Sequence, residues 1–115
     1  MSETQILKGV LSMLLLGVLT IEEGYGYAVV VRLRELGLVG INEGTVYPAL
    51  TRLESQGFLS SRLVTSTVGP ARKYYAVTPA GVEELARLRS IWTVVQSAVD
   101  RVSSVDARPL EGTQR

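Results

Sequence analysis

Apolar residues recur along this chain with two different spacings. Residues 5–20, 25–36, 42–57 and 79–103 carry apolar side chains every three or four positions, which is typical of helices with a buried face. Residues 58–64 and 72–77 have strand-like composition and flank a turn-rich segment that contains Gly69 and Pro70. The pattern predicts a mainly α-helical domain with a small β-hairpin, an α+β fold.

The third helical stretch has the features of a helix that reads DNA. Its core side consists of Val46, Ala49, Leu50 and Leu53. The opposite side consists of Pro48, Thr51, Arg52 and Ser55, and Thr45 and Tyr47 lie on its flanks. This combination of hydroxyls with a cation can reach phosphates and base edges. A proline inside a helix costs about 3 kcal/mol. We therefore expect Thr45 to be the N-cap, because the missing N–H of Pro48 would then need no partner.

The hairpin that follows contains basic residues and no acidic ones. Arg62, Arg72 and Lys73 lie between Leu59 and Ala76, and no acid lies among them. Such a hairpin suits a DNA backbone and predicts a wing in which Arg72 and Lys73 meet phosphates. The alternative is an exposed hairpin whose cations only discourage strand pairing.

The last helical stretch predicts a dimer. Thr78 is a good N-cap and Pro79 a favoured first helical residue. The apolar positions then step by three and four, and this seam consists of Leu85, Leu88, Trp92, Val95, Val99 and Val102. A helix of roughly 25 residues spans about 37 Å, too long for the rest of the chain to cover. We expect a homodimer with the first helix alongside, rather than a seam that folds back on its own domain.

The first helix is apolar on nearly all sides. It resembles the apolar region of a signal peptide, but Lys8, Ser12 and Thr20 interrupt it and make it unsuitable as a membrane span. We interpret it as a buried helix of a cytoplasmic protein without a membrane partner. The segment from Leu38 to Ile41 is predicted as a short strand that joins the sheet of the hairpin.

Composition excludes several classes of function. The chain has 115 residues and a net charge of +1, so any basic surface must be local. It contains neither cysteine nor histidine, which argues against a transition-metal site and against thiol or histidine catalysis. No nucleotide-binding glycine motif is present. The sequence therefore predicts no enzyme activity, no cofactor and no metal.

The order of the elements is that of a winged helix-turn-helix at residues 1–78, a dimerisation helix at 79–104 and a flexible tail at 105–115. The motifs resemble those of the PadR family of bacterial transcriptional regulators. They are Gly-Tyr-Ala at 26–28, Gly-Thr-Val-Tyr-Pro-Ala-Leu-Thr-Arg-Leu-Glu-Ser-Gln-Gly at 44–57, Gly-Pro-Ala-Arg-Lys-Tyr-Tyr-Ala-Val-Thr-Pro-Ala-Gly at 69–81, and Trp92. The single C-terminal helix is similar to the smaller subfamily that includes the lactococcal multidrug-binding repressor.

The resemblance implies a homodimeric repressor that binds a double-stranded DNA operator and is released by an effector. In the lactococcal relative, paired tryptophans stack on planar drugs between the subunits, and Trp92 occupies the matching position. Arg89 and Gln96 depart from that relative, which has an aromatic residue and an acid there.

Two alternatives stay open at this stage. Trp92 is either a core residue or the centre of a site for planar aromatic effectors, which Gly9, Ser12, Met13 and Val95 would border. The whole chain is either a DNA-binding regulator or a helical dimer that only binds other proteins.

Overall fold

The helices and the hairpin form where the apolar spacing predicts them. The computed structural model describes residues 3–106, with side chains for residues 6–104. In chain order the elements are α1 (Glu3–Ile21), β1 (Gly24–Tyr25), α2 (Gly26–Glu35), α3 (Glu43–Ser55), β2 (Leu59–Val64), β3 (Arg72–Val77) and α4 (Pro79–Asp106). The predicted α+β class, mainly helical with a winged helix-turn-helix, is confirmed.

The core lies where α1, α2 and α3 meet. Its fully buried side chains are Leu15, Leu16, Val29, Val30, Leu33, Val46, Leu50 and Leu53. Burying one such side chain contributes about 1.5–3 kcal/mol, whereas helix propensities of ordinary residues differ by less than about 1 kcal/mol. The run Val29-Val30-Val31 is therefore helical despite its preference for strands. Leu36 is exposed, because α2 ends just before it and Gly37 turns the chain with φ +107°.

The sheet has three antiparallel strands in the order β1-β3-β2. The predicted strand at residues 38–41 is wrong: Ile41 donates its N–H to the carbonyl of Leu38 in a turn, at 3.1 Å, and its side chain is buried. The strand that joins the hairpin is β1, in which Gly24 pairs with Tyr75 and Tyr25 with Tyr74. This strand places the first turn of α2 beside the wing.

Helix α4 starts as predicted and docks on the connection between α3 and β2. The Thr78 hydroxyl accepts a hydrogen bond from the Gly81 N–H at 3.0 Å and donates one to the Gly57 carbonyl at 2.6 Å. The helix extends to Asp106, two residues beyond its predicted end, and residues 107–115 of the predicted tail lie outside the described residues. Among the described helices, none combines the length and apolarity needed to span a membrane.

Candidate nucleic-acid interface

The helix expected to read DNA begins one turn earlier than predicted. Asn42 is the N-cap of α3, and its side-chain oxygen accepts a hydrogen bond from the Thr45 N–H at 3.2 Å. The prediction of Thr45 as N-cap is therefore wrong, because asparagine is the stronger cap and sits one turn upstream. Pro48 lies inside the helix, where its ring nitrogen cannot donate to the Gly44 carbonyl. Both residues are exposed, so water can satisfy that carbonyl.

The exposed side of α3 carries most of the residues expected to face DNA. Tyr47, Pro48, Thr51 and Arg52 are exposed, whereas Thr45 is half-buried. The four exposed residues separate into two flanks. Tyr47 leans toward the wing, and a methyl group on Gly26 would lie 2.4 Å from its ring. Arg52 turns the other way, and its Nη2 donates a hydrogen bond to the Ser12 hydroxyl of α1 at 3.1 Å.

Between α3 and the wing lies a cleft of about 510 Å³ that we call the tyrosine cleft. It is lined by Tyr25, Gly26, Tyr27, Tyr47, Arg72, Lys73 and Tyr75. Burial, followed by the nearby Glu43 carboxylate, raises the pKa of Tyr47, so its hydroxyl keeps its proton and can donate. Sequence reasoning found Tyr47, Arg72 and Lys73 but missed the other tyrosines. The signal was present, because four of the five tyrosines in the chain line this cleft.

Two of the three wing cations are paired with acids from other elements. Lys73 Nζ lies 2.8 Å from Glu54 Oε1 of α3, and Arg62 forms a salt bridge with Glu23. The hydrogen bond from Lys73, followed by that from the Ser61 hydroxyl, lowers the pKa of Glu54, and the same contact raises the pKa of Lys73. The hairpin sequence contains no acid, as noted, but acids outside it partly neutralise the charge of the wing.

Arg72 is the exception among these wing cations. Its guanidinium carbon lies 4.5 Å from the ring centroid of Tyr25, and its side chain faces both the tyrosine cleft and the wing tip. Within residues 6–104 it forms no salt bridge. A cation held over an aromatic face keeps its donors available to an incoming phosphate.

On the other flank of α3 lies a groove of about 460 Å³, which we call the tryptophan groove. It runs between α1, the C-terminal half of α3 and α4, and it brings together all five residues predicted to bind an effector: Gly9, Ser12, Met13, Trp92 and Val95. Trp92 is 39% exposed and thus is not a core residue of the described chain. Arg52, Gln56 and Glu84 also line the groove. Sequence reasoning did not anticipate that Arg52 belongs to it.

The predicted dimer seam divides into two parts. Leu85 is buried and Leu88 is half-buried against the core of the same chain, so Leu85 offers almost no surface to a partner. From Trp92 onward the seam is exposed, with Val95 at 44%, Val99 at 55% and Val102 at 69%. The first part of α4 thus folds back on its own chain, which is the alternative to the predicted dimer seam, and the second part presents an apolar stripe to its surroundings.

The family model and the solved structures that match this chain agree with one another. The family model of the transcriptional regulator PadR-like family matches residues 15–87. No curated protein sequence matches the chain. Among solved structures, a PadR-like transcriptional regulator from Bacillus cereus strain ATCC 14579 is similar at 34% identity over 90% of this chain and 99% of that one, with a TM-score of 0.77.

Two further solved structures extend the agreement. A PadR family transcriptional regulator from Eggerthella lenta DSM 2243 shares 35% identity over 90% of this chain and 88% of that one, with a TM-score of 0.78. A Streptococcus transcriptional regulator shares 36% identity over 88% of this chain and 99% of that one, with a TM-score of 0.76. Architecture and sequence therefore lead to the same family.

Proposed function

Because the chain belongs to the PadR-like family of transcriptional regulators and is thus a DNA-binding regulator, we propose that it is a homodimeric repressor. It releases its DNA operator when a planar aromatic effector binds in the tryptophan groove. The observation that carries the DNA-binding part is the tyrosine cleft beside the exposed side of α3. Such a regulator acts on the chromosome, so the proposal places it in the cytoplasm.

The proposed DNA contacts divide by chemistry. Pro48 and Thr51 of α3 face the major groove of the DNA, together with Thr45 in the first turn of the same helix. The last residue of α3, Ser55, is also exposed, so the major groove can accommodate that end of the helix. Tyr47, Arg72 and Lys73 border the tyrosine cleft, where hydroxyl and cationic donors converge. Converging donors of this kind suit a phosphate of the backbone, which fixes the register of the reading helix. Arg52 completes the set from the opposite flank.

Salt dependence tests this arrangement. With three cations per subunit (Arg52, Arg72 and Lys73), a dimer makes about six phosphate contacts, and log K should fall against log salt with a slope near −5. The operator fragment is first selected from random DNA with the purified protein. A slope near zero on any duplex would exclude the DNA-backbone role.

The rival function is a dimeric module that binds only proteins. The double variant Arg52→Ala with Arg72→Ala separates the two functions, because DNA binding requires these cations whereas dimerisation does not. We expect operator binding to fall by at least 10-fold while the molecular mass in solution stays that of the dimer. Arg89→Ala is a matched control, since Arg89 is an exposed cation on α4 that borders neither site.

The exposed half of the α4 seam supports the homodimer. Val95, Val99 and Val102 form an apolar stripe at heptad spacing, and burying such side chains against a second copy contributes roughly 1.5–3 kcal/mol each. Val95→Asp should abolish the dimer and give unfolded or aggregated protein, because an obligate interface leaves no stable monomer. Val94→Asp is the control: it is the neighbouring residue, is 70% exposed and lies off the seam. A folded Val95→Asp monomer would contradict the obligate dimer.

Trp92 supports the effector site. It is the only tryptophan in the chain and lies on the seam, so a two-fold axis nearby would bring it close to its mate. Two such rings can hold a flat guest between them, and Met13 adds a flexible, polarisable wall. Planar dyes should quench Trp92 emission and weaken operator binding by about 1–3 kcal/mol of coupling. If no planar compound quenches Trp92, the tryptophan serves packing alone.

A further inference from the structure

Arg52 lies at the border between the two flanks of the reading helix. Its backbone belongs to α3, one residue after Thr51, and its side chain is exposed. Its guanidinium reaches across to α1, where Nη2 lies 3.1 Å from the Ser12 hydroxyl oxygen. The same side chain therefore starts on the helix that reads DNA and ends in the wall of the tryptophan groove.

The Arg52 guanidinium has N–H donors that form no hydrogen bond within the described residues. Arginine carries five N–H donors, and one hydrogen bond, to Ser12, is found for Arg52 in the described part of the chain. In the same residues no carboxylate lies within salt-bridge distance of it. A planar cation with free donors can bind a phosphate or a carboxylate equally well.

The groove does not neutralise this cation. Glu84 is the one acid among the groove residues, and Arg87 holds both of its oxygens, with Nε at 2.9 Å and Nη2 at 2.8 Å. These hydrogen bonds also lower the pKa of Glu84, so the carboxylate stays ionised and paired with Arg87. The tryptophan groove thus combines an apolar floor around Trp92 with positive charge at one edge.

We propose that Arg52 is shared by two mutually exclusive partners: the DNA backbone when the groove is empty, and the anionic group of a planar aromatic ligand when the groove is occupied. This inference rests on the proposed effector role of the groove and adds its ligand class and its mechanism of release. One guanidinium per subunit moves from DNA to ligand, so release requires no change in the angle between the two reading helices.

One consequence can be measured without any ligand. In the free protein the hydrogen bond to Ser12 holds Arg52 on the groove side, and DNA binding must break that bond. Ser12→Ala removes it, and we expect operator binding to tighten by about 2- to 5-fold. Ser90→Ala is the control, because Ser90 is an exposed helical serine that donates only to the Ala86 carbonyl of its own helix.

The decisive experiment compares two arginine variants in the full-length protein. Operator affinity is measured for wild type, Arg52→Ala and Arg72→Ala, with and without saturating 9-anthracenecarboxylate, and quenching of Trp92 reports occupancy in each. We expect the compound to weaken wild-type binding about 10-fold. Arg72→Ala should bind DNA more weakly but keep the 10-fold response. Arg52→Ala should bind DNA more weakly and respond less than 2-fold.

Matched probes test the charge preference. 9-Anthracenemethanol has the same ring system without the charge, so it should quench Trp92 equally in wild type and Arg52→Ala. 9-Anthracenecarboxylate should bind wild type at least 5-fold more tightly than the alcohol does, and Arg52→Ala should lose that advantage. A cationic analogue, 9-(aminomethyl)anthracene, should bind wild type least.

Three results would overturn the proposal, and they differ from one another. If saturating 9-anthracenecarboxylate releases Arg52→Ala from DNA as strongly as wild type, the effector works through another route. If Arg52→Ala binds the operator as tightly as wild type, Arg52 is not a DNA contact. If none of the three compounds quenches Trp92 in wild type, the effector role of the groove fails as well. The first two results leave the proposed effector site intact.

Discussion

The Glu54→Gln variant tests whether the salt bridge between α3 and the wing competes with DNA binding. Glu54 carries a salt bridge from Lys73 at 2.8 Å and also accepts a hydrogen bond from Ser61. If Lys73 meets a phosphate in the complex, it must leave Glu54 first. Glutamine keeps the side-chain shape and an oxygen for Ser61 but removes the charge that holds Lys73. The variant should therefore bind DNA more tightly than wild type.

The magnitude follows from the exposure of the pair. The Lys73 and Glu54 side chains are 47% and 28% exposed, so the salt bridge between them is a weak surface pair. Releasing one such pair in each of two subunits should tighten operator binding by roughly 2- to 30-fold. The salt slope should stay near −5, because the number of phosphate contacts does not change. A slope steeper by about 2 would instead mean that Lys73 stays with Glu54 in the wild-type complex.

Binding is measured by fluorescence anisotropy of a labelled operator at several salt concentrations. Glu84→Gln is the control, because it makes the same charge change at a salt bridge on α4 that does not involve the wing. If Glu54→Gln binds no more tightly than Glu84→Gln, Lys73 does not compete between carboxylate and phosphate.

The same variant should also change the pH dependence of stability. Hydrogen bonding from Lys73 lowers the pKa of Glu54 in the folded state. The contribution of this group is therefore present above its unfolded pKa of about 4.3 and is lost as pH falls through the lower folded value. Wild type should exceed Glu54→Gln in unfolding free energy at pH 7, and the difference should shrink progressively as the pH falls below the unfolded pKa of about 4.3. A difference that does not shrink on acidification would contradict this assignment.

Three glycines yield further predictions. A methyl group at Gly81 would lie 2.1 Å from the Phe58 carbonyl oxygen, so Gly81→Ala should lower the unfolding free energy by about 1–3 kcal/mol in a denaturant titration. A methyl group at Gly17 would meet no atom within 4 Å, so Gly17→Ala should instead raise the unfolding free energy by up to about 1 kcal/mol. Gly26→Ala should push the exposed ring of Tyr47 out of the tyrosine cleft, weakening operator binding several-fold with little loss of stability; unchanged binding would show that the position of Tyr47 is unimportant.

Much of the fold could be predicted because its signals are local. Helical spacing located the four helices of residues 3–106, and the threonine-proline pair at residues 78 and 79 located the start of α4. Trp92 was expected beside Gly9, Ser12 and Met13, since two apolar helices in so small a chain have few ways to avoid packing together. These features depend on residues close in sequence or on one strong apolar face.

Other features could not be predicted because they depend on residues far apart in sequence. Strand β1 has two residues and exists only because the edge of β3 lies beside it. Glu23 and Glu54 neutralise wing cations from 39 and 19 positions away, so counting charges within the hairpin overestimated its free positive charge. The N-cap of α3 was predicted one turn too late, at Thr45, and the fold shows that Asn42 accepts the capping hydrogen bond.

In the proposed mechanism, the two flanks of α3 let one short helix serve both DNA binding and its regulation. Tyr47 and Glu54 face the wing side, and Arg52 and Gln56 face the tryptophan groove. Each flank holds one long polar side chain that is already engaged within the protein, Glu54 with Lys73 and Arg52 with Ser12. Exchanging such partners costs little, because each contact is exposed and worth about 1 kcal/mol or less. In this proposed mechanism, a ligand on one flank changes DNA affinity through side-chain exchange while the packed core of α3 stays fixed.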